Sequence, residues 1–276
     1  MKGEQIMSLL GHNRKTDKSK MDTKTLTLLP VLHGACPNAV ECKPVCLRGS
    51  GQGAMPAVDK ARERKADWRH EDLSEFMTQL VKELKAFDRK MCKENKIGGV
   101  RLNTLTDFEY RDLVDMESYK HIIFYDYTKD QARMQDWIDG KCPSNYHLTF
   151  SWQPANDAFA MRVIKAGYLV ARVLFMNGKR DDVMPSTLEG YPVISGDDSD
   201  ERPSDPRVSG WLGLIAKGSA GGRAEHCKEI KNGLRNGFIT ATNFDAIKDP
   251  ALRMAQEGKL LCRQLDRAFW DERSAA

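Results

Sequence analysis

The chain has 276 residues, 41% of them hydrophobic and 30% charged, with 43 Lys+Arg against 39 Asp+Glu and a net charge of +4. That composition suits a globular protein of one large domain or two small ones, long enough to bury a substantial core. It excludes a collagen and a disulfide miniprotein; the longest apolar stretch, residues 168–176, contains Arg172 and falls far short of the ~20 residues of a membrane span.

Residues 1–24 carry Lys2, Arg14, Lys15, Lys18, Lys20 and Lys24 against Glu4, Asp17 and Asp22. They read as a disordered basic tail, able to touch nucleic acid or a partner protein. They hold neither an apolar core of signal-peptide length nor a small-residue cleavage site, which predicts a cytoplasmic protein. The remainder is nearly neutral, which argues against a dedicated duplex-DNA binder with a basic face.

After the tail, residues 25–32 (TLTLLPVL) predict a buried strand, with Pro30 marking an edge or bend. A Gly- and Pro-rich loop over 33–56 follows, then helices over 58–69 and 72–91. The second helix has Leu73, Phe76, Met77, Leu80, Leu84, Phe87 and Met91 at helical spacing behind Asp72 and Glu75, which resemble a capping box. Strands over 100–103, 121–127, 146–151, 168–175, 191–194 and 211–216 then alternate with helices. One helix is predicted to open at Thr106 and Glu109, one covers 130–139 and one 157–166. The alternation implies an α/β fold with a parallel sheet, either doubly wound or closed as a compact or incomplete (β/α) barrel. Domain organisation reads as tail 1–24, an α/β domain over 25–225, and a helical C-terminal extension over 226–276 with its main helix from Pro250 to Trp270.

Seven cysteines cannot pair completely, and a reducing compartment is expected. Cys36, Cys42 and Cys46 cluster in the loop after the first strand as C-x5-C-x3-C. Three thiolates on one loop can hold three corners of a [4Fe-4S] cluster, leaving one iron open. With His33 the same three can hold a structural zinc. Cys142, Cys227 and Cys262 are the other candidates for a fourth ligand. The glycines of GSGQG (49–53) read as a flexible connector rather than a phosphate cradle, since no P-loop Lys-Ser/Thr follows.

Ligands of parallel α/β folds gather beyond the carboxyl ends of the strands. Those ends carry Asn103 preceded by Arg101, then Tyr125, Asp126, Tyr127, Thr128 and Lys129, then Thr149 and Ser151, and finally Lys217. Asp126, Lys129 and Lys217 are the candidates for acid/base chemistry. Asn103, Tyr127, Thr128, Thr149 and Ser151 are the candidates for holding a cofactor, with a small molecule or nucleotide as substrate. Helix capping by Asp126 and solvent exposure of Arg101 and Lys129 are the competing structural readings. The acidic run GDDSDERPSD (196–205) reads as a solvated surface turn, with Mg²⁺ or Ca²⁺ binding as the alternative; its spacing is not that of an EF-hand.

These residues resemble the bacteriophage gene product 88 domain family. The resemblance runs from about Cys36 to Gly218. It includes the triple cysteine, Ala61-Arg62, Val100-Arg101-Leu102-Asn103, residues 124–129 (FYDYTK), residues 145–151 (NYHLTFS), Gly196-Asp197 with Asp200 and Arg202, and Gly213-Leu214 with Ala216-Lys217-Gly218. It implies a phage origin and these motif boundaries. The position of the cysteine loop, after strand one and before helix one, is also that of the cluster loop in radical S-adenosylmethionine (SAM) enzymes. The expectation is therefore a phage iron–sulfur protein, a radical-SAM-like enzyme in which the open iron binds SAM. Its rival is a non-catalytic protein in which zinc or iron–sulfur staples the loop while the tail contacts a host partner or nucleic acid.

Overall fold

The computed structural model describes residues 7–12, 21–49, 55–176, 183–216 and 228–274. The chain divides into two compact units. The first comprises Met1–Asn38, Met55–Phe150 and Asp198–Pro206, and the second Ala39–Ala54, Ser151–Asp197 and Arg207–Ala276.

The first unit contains β1 (Leu10–Gly11), β2 (Thr23–Leu26), α1 (Pro56–Glu71), α2 (Leu73–Glu94), β3 (Gly98–Arg101), β4 (Ile122–Thr128), α3 (Gln131–Ile138) and β5 (Tyr146–Ser151), whose last residue falls in the second unit. Its strand order is β1-β2-β3-β4-β5, antiparallel between β1 and β2 and parallel elsewhere. α2 forms where the apolar spacing predicts: Phe76, Leu80, Leu84, Phe87 and Met91 are buried along one stripe, and Asp72 caps it by accepting from Glu75 N at 2.8 Å. The helix lies so close to β3 that a Cβ on Gly98 would stand 2.6 Å from Phe87 Cζ, so only glycine permits this approach. Asp130 caps α3 in the same manner, accepting from Arg133 N at 2.9 Å.

The second unit contains α4 (Asp157–Lys165), β6 (Leu169–Phe175), β7 (Thr187–Leu188), β8 (Tyr191–Ser195), β9 (Gly210–Ile215), α5 (Lys228–Asn236), β10 (Ile239–Ala241) and α6 (Pro250–Ser274). β9 and β10 both pair with β6 in parallel, β8 pairs with β9 in parallel, and β7 closes an antiparallel hairpin on β8. The hairpin turns through Glu189 (φ 52°) and Gly190 (φ 83°), both left-handed as a two-residue reversal between twisted strands requires. Glu189 is held there by Arg172 of β6, whose two terminal nitrogens donate to its two carboxylate oxygens at 2.9 and 3.1 Å. The Arg172 guanidinium is fully buried, 3.9 Å from the Trp152 ring and 4.6 Å from the Trp211 ring, and its Nε donates to Thr240 at 2.9 Å.

Strand–helix alternation and a mostly parallel sheet are as expected, but the ladders are not closed into a barrel: β1 and β7 are each paired on one side only. Three local expectations are corrected. Part of the supposed disordered tail is ordered: Leu9 and Leu10 are buried, β1 pairs with β2, and Glu83 of α2 accepts from Leu9 N at 2.8 Å and Leu10 N at 2.7 Å. The first strand is shorter and earlier than residues 25–32, because Leu28 and Leu29 are buried in irregular chain ahead of Pro30. No helix opens at Thr106. There the side chains compete with a helical backbone: Asn103 Oδ1 accepts from Thr106 Oγ1 and Phe108 N, both at 2.9 Å, and Glu109 Oε1 accepts from Arg111 N at 3.1 Å.

Candidate functional site

Register assigns the two faces of the first unit's sheet. Leu26, Val100, Phe124, Leu148 and Phe150 make one face largely apolar, with Asp126 and Thr128 on the same side toward the carboxyl end of β4. On the other face Thr23 pairs with Gly99, Thr25 with Arg101, Tyr125 with His147 and Tyr127 with Thr149. Partners in register project to the same side, so this face is polar from β2 to β5. It is nonetheless buried: Thr23, Thr25, Arg101, Tyr125 and Thr149 are each at most 7% exposed. The cover includes the acidic segment Asp198–Pro206, which belongs to this unit. The expectation of a solvated turn there is corrected, since Asp200 is 8% exposed and Arg202 fully buried.

Arg101 Nη1 donates to Asp200 Oδ2 at 2.7 Å, and its guanidinium carbon stands 5.2 Å from the Tyr127 ring and 5.7 Å from the Tyr125 ring. The solvent-facing reading of Arg101 is thereby overturned. Arg202 Nη2 donates to the Ser199 carbonyl, and Nη1 lies 3.1 Å from Asp205 Oδ2 but out of hydrogen-bond alignment. Arg101 Nε, Arg202 Nε and Arg202 Nη1 are buried donors with no hydrogen-bond partner among the described residues. Such donors cost free energy until an acceptor reaches them. Burial opposes the charge of Arg101, yet Asp200 and the surrounding tyrosines hold its pKa above the ordinary value. Burial pushes Tyr125 and Tyr127 up to about 12 against the pull of the arginines. It lifts Asp205 to about 6 despite Arg202, with Asp200 adding repulsion.

Four of the residues singled out at the strand ends form a second network. Asp126 accepts from Asn103 N at 2.8 Å, Asn103 Nδ2 at 3.2 Å and the Tyr146 hydroxyl at 3.3 Å. Burial raises Asp126 to about 6, opposed by Arg133 and the Asn103 donors. Thr128 Oγ1 accepts from Asp130 N at 2.9 Å, and Lys129 N donates to Asp107 Oδ2 at 2.9 Å. Arg133 Nη1 donates to the Phe108 carbonyl at 2.9 Å while Nη2 stands 2.8 Å from Asp107 Oδ1. The loops after β2 and β3 meet at the same edge: Asp107 N donates to Ala35 O at 2.7 Å, and the Cys36 thiol to Leu105 O at 3.5 Å. Asn103, Asp126, Thr128 and Lys129 are thus brought together, in a network that shapes the loop.

The other candidates fall elsewhere. Ser151 belongs to the second unit, where its carbonyl accepts from Asn156 Nδ2 at 3.1 Å. Lys217 and Cys227 lie outside the described residues. Cys36 belongs to the first unit and Cys42 and Cys46 to the second. Among the described residues no three or more His, Cys, Asp or Glu side chains are grouped so as to hold a metal ion. His33 stacks on His70 with ring centres 4.1 Å apart, and its Nε2 lies 2.8 Å from Asp67 Oδ1. Cys142 Sγ accepts from Arg111 Nη1 at 3.3 Å, and Cys262 is exposed. Asp200, Arg202 and Tyr125 join the site from outside the sequence candidates for catalysis or cofactor binding. Arg202 enters the sequence reading only through the family resemblance, because one arginine in a run of carboxylates otherwise reads as solvated.

A mostly parallel α/β sheet with a polar, covered face defines the class of this protein. Among its described residues no helix is long and apolar enough to cross a membrane. The chain belongs to the Gene product 88 family, whose model matches residues 7–233. No curated protein and no solved structure matches it.

Proposed function

We propose that this protein binds a small oxyanion-bearing molecule, a carboxylate or phosphate such as a nucleotide or SAM carries, on the polar sheet face of its first unit. The observation that carries this reading is the pair of buried arginines whose Nε groups, and Nη1 of Arg202, lack hydrogen-bond partners among the described residues. Guanidinium N–H groups in a water-poor site bind oxyanions by charge-assisted bonds of fixed geometry. Asp200, already on Arg101, stands as a resident carboxylate, and binding requires the Asp198–Pro206 segment to shift. Calorimetric titration of the full chain with SAM, AMP and inorganic phosphate tests it. At least one should bind, and Arg101→Lys and Arg202→Lys should each weaken it about tenfold, the loss of roughly one good charged hydrogen bond. Failure of all three ligands, or affinity indifferent to both lysines, refutes it.

The second reading is the iron–sulfur protein, a radical-SAM-like phage enzyme, with zinc as the alternative metal. It is favoured by Cys36 lying at the edge where the loops after β2 and β3 meet. It is opposed by the absence of a metal-holding group among the described residues. Iron, zinc and sulfide analysis of anaerobically purified protein, beside the Cys36/Cys42/Cys46→Ala variant, decides it. About four irons and four sulfides lost in the variant support the cluster; one zinc without sulfide supports the staple; neither metal removes both.

A further inference from the structure

We infer that the second unit holds a separate site for a small amphiphilic anion, a carboxylate on an apolar body, in a cavity at the carboxyl end of β6. The cavity measures about 270 Å³. The apolar part of its wall comes from Phe175 at the last position of β6, Leu234 of α5, Ile247, and Leu252 of α6. All four belong to the buried cluster that also contains Ile239 and Ala241 of β10. Two parallel strands thus end beside it, the location at which open α/β sheets take their ligands.

Three charged side chains line it, Lys231, Lys248 and Asp249, and of these Lys248 and Asp249 are already engaged. Asp249 Oδ1 accepts from Ala251 N at 3.1 Å and Leu252 N at 3.2 Å, so it caps α6 and uses up the first amides of that helix. Half-buried Lys231, on α5, has no hydrogen bond or ion pair among the described residues. An ammonium over an apolar wall selects a ligand with one anionic end and a hydrocarbon remainder. The volume admits a chain or ring of about ten heavy atoms, at roughly 20–30 Å³ apiece. This site is independent of the polar face of the first unit.

Octanoate and octan-1-ol, which share a chain length and differ in charge, are the probes for calorimetry on the full chain. Octanoate should bind saturably at one per chain and octan-1-ol about tenfold more weakly, the value of one charge-assisted contact. Lys231→Met should reduce octanoate to the level of the alcohol while leaving the alcohol unchanged. Ala246→Trp, at a half-buried position on the rim, should abolish binding of both. Lys231→Met changes a half-buried side chain without a partner among the described residues, so its melting temperature should match wild type and keep the comparison valid. No octanoate binding, equal binding of acid and alcohol, or indifference to either substitution overturns the assignment.

Discussion

Removing one partner of the Arg101–Asp200 pair should be among the most damaging single changes in the first unit. The charged atoms meet at 2.7 Å and both side chains are 8% exposed. At a separation of about 4 Å between charge centres and an effective dielectric near 20, the attraction is about 4 kcal/mol. Arg101→Met forfeits that and leaves the Asp200 carboxylate buried beside two tyrosine rings with nothing to offset its desolvation. Loss of one member of a buried pair costs about 3–5 kcal/mol, whereas an exposed pair costs under about 1 kcal/mol. The double variant Arg101→Met/Asp200→Leu removes both charges and should recover at least about 2 kcal/mol of the summed single losses. Urea unfolding of the four proteins, followed by circular dichroism, gives the cycle. Single losses below about 1 kcal/mol, or a double variant equal to the sum of the singles, would show that the pair is solvated and that the polar face is not closed.

Three further outcomes are expected. Asp126 is raised from 3.8 to about 6, so between those values the folded chain holds a proton that the unfolded chain releases. Stability from this group is therefore full below pH ~4 and falls by about 3 kcal/mol as pH rises through 6; Asp126→Asn should remove that part of the slope, and unfolding free energies at pH 4 and 7 that change equally in both proteins would contradict it. Gly98→Ala should cost about 1–3 kcal/mol, because its Cβ meets Phe87 and Met91 within 2.8 Å, while Gly11→Ala, with nothing within 4 Å, should cost far less on thermal unfolding. Glu83→Ala should free the β1 strand by stripping the acceptor from Leu9 N and Leu10 N, and limited trypsin digestion should then cut at Lys24 earlier than in wild type.

The sequence made the helices and parallel strands legible wherever burial imposed a period. The stripe from Phe76 to Met91 could belong only to a helix, and residues 122–128 only to a strand of a largely buried sheet. What was hidden depended on partners remote in sequence. Asp200 lies 99 residues from Arg101, and no local pattern distinguishes it from the carboxylates on either side. The β1 strand was missed for a similar reason. Leu10 and the preceding Leu9 sit in a basic neighbourhood, and the β2 pairing, together with Glu83 and Lys65, which donates to Leu9 O at 2.8 Å, reveals why the backbone stays there. Asn103 and Asp126 were noticed as strand-end polar groups, but the spacing could not show that they would satisfy each other. Capping patterns erred at Thr106, where Asn103, three residues back, claims the hydroxyl before any helix can start.

The nine residues Asp198–Pro206 belong to the first unit although the chain on both sides of them belongs to the second. One cut therefore cannot divide this polypeptide into its two halves. A fragment ending at Phe150 would retain Arg101 and both tyrosines but lose Asp200, Arg202 and Asp205, exposing the polar face with one uncompensated guanidinium on it. Excising the nine residues and joining their flanks would do the same to the first unit while sparing the sequence of every strand. The first half must consequently wait for a segment synthesised some fifty residues after its last strand, so completion of the first unit is deferred until much of the second has emerged.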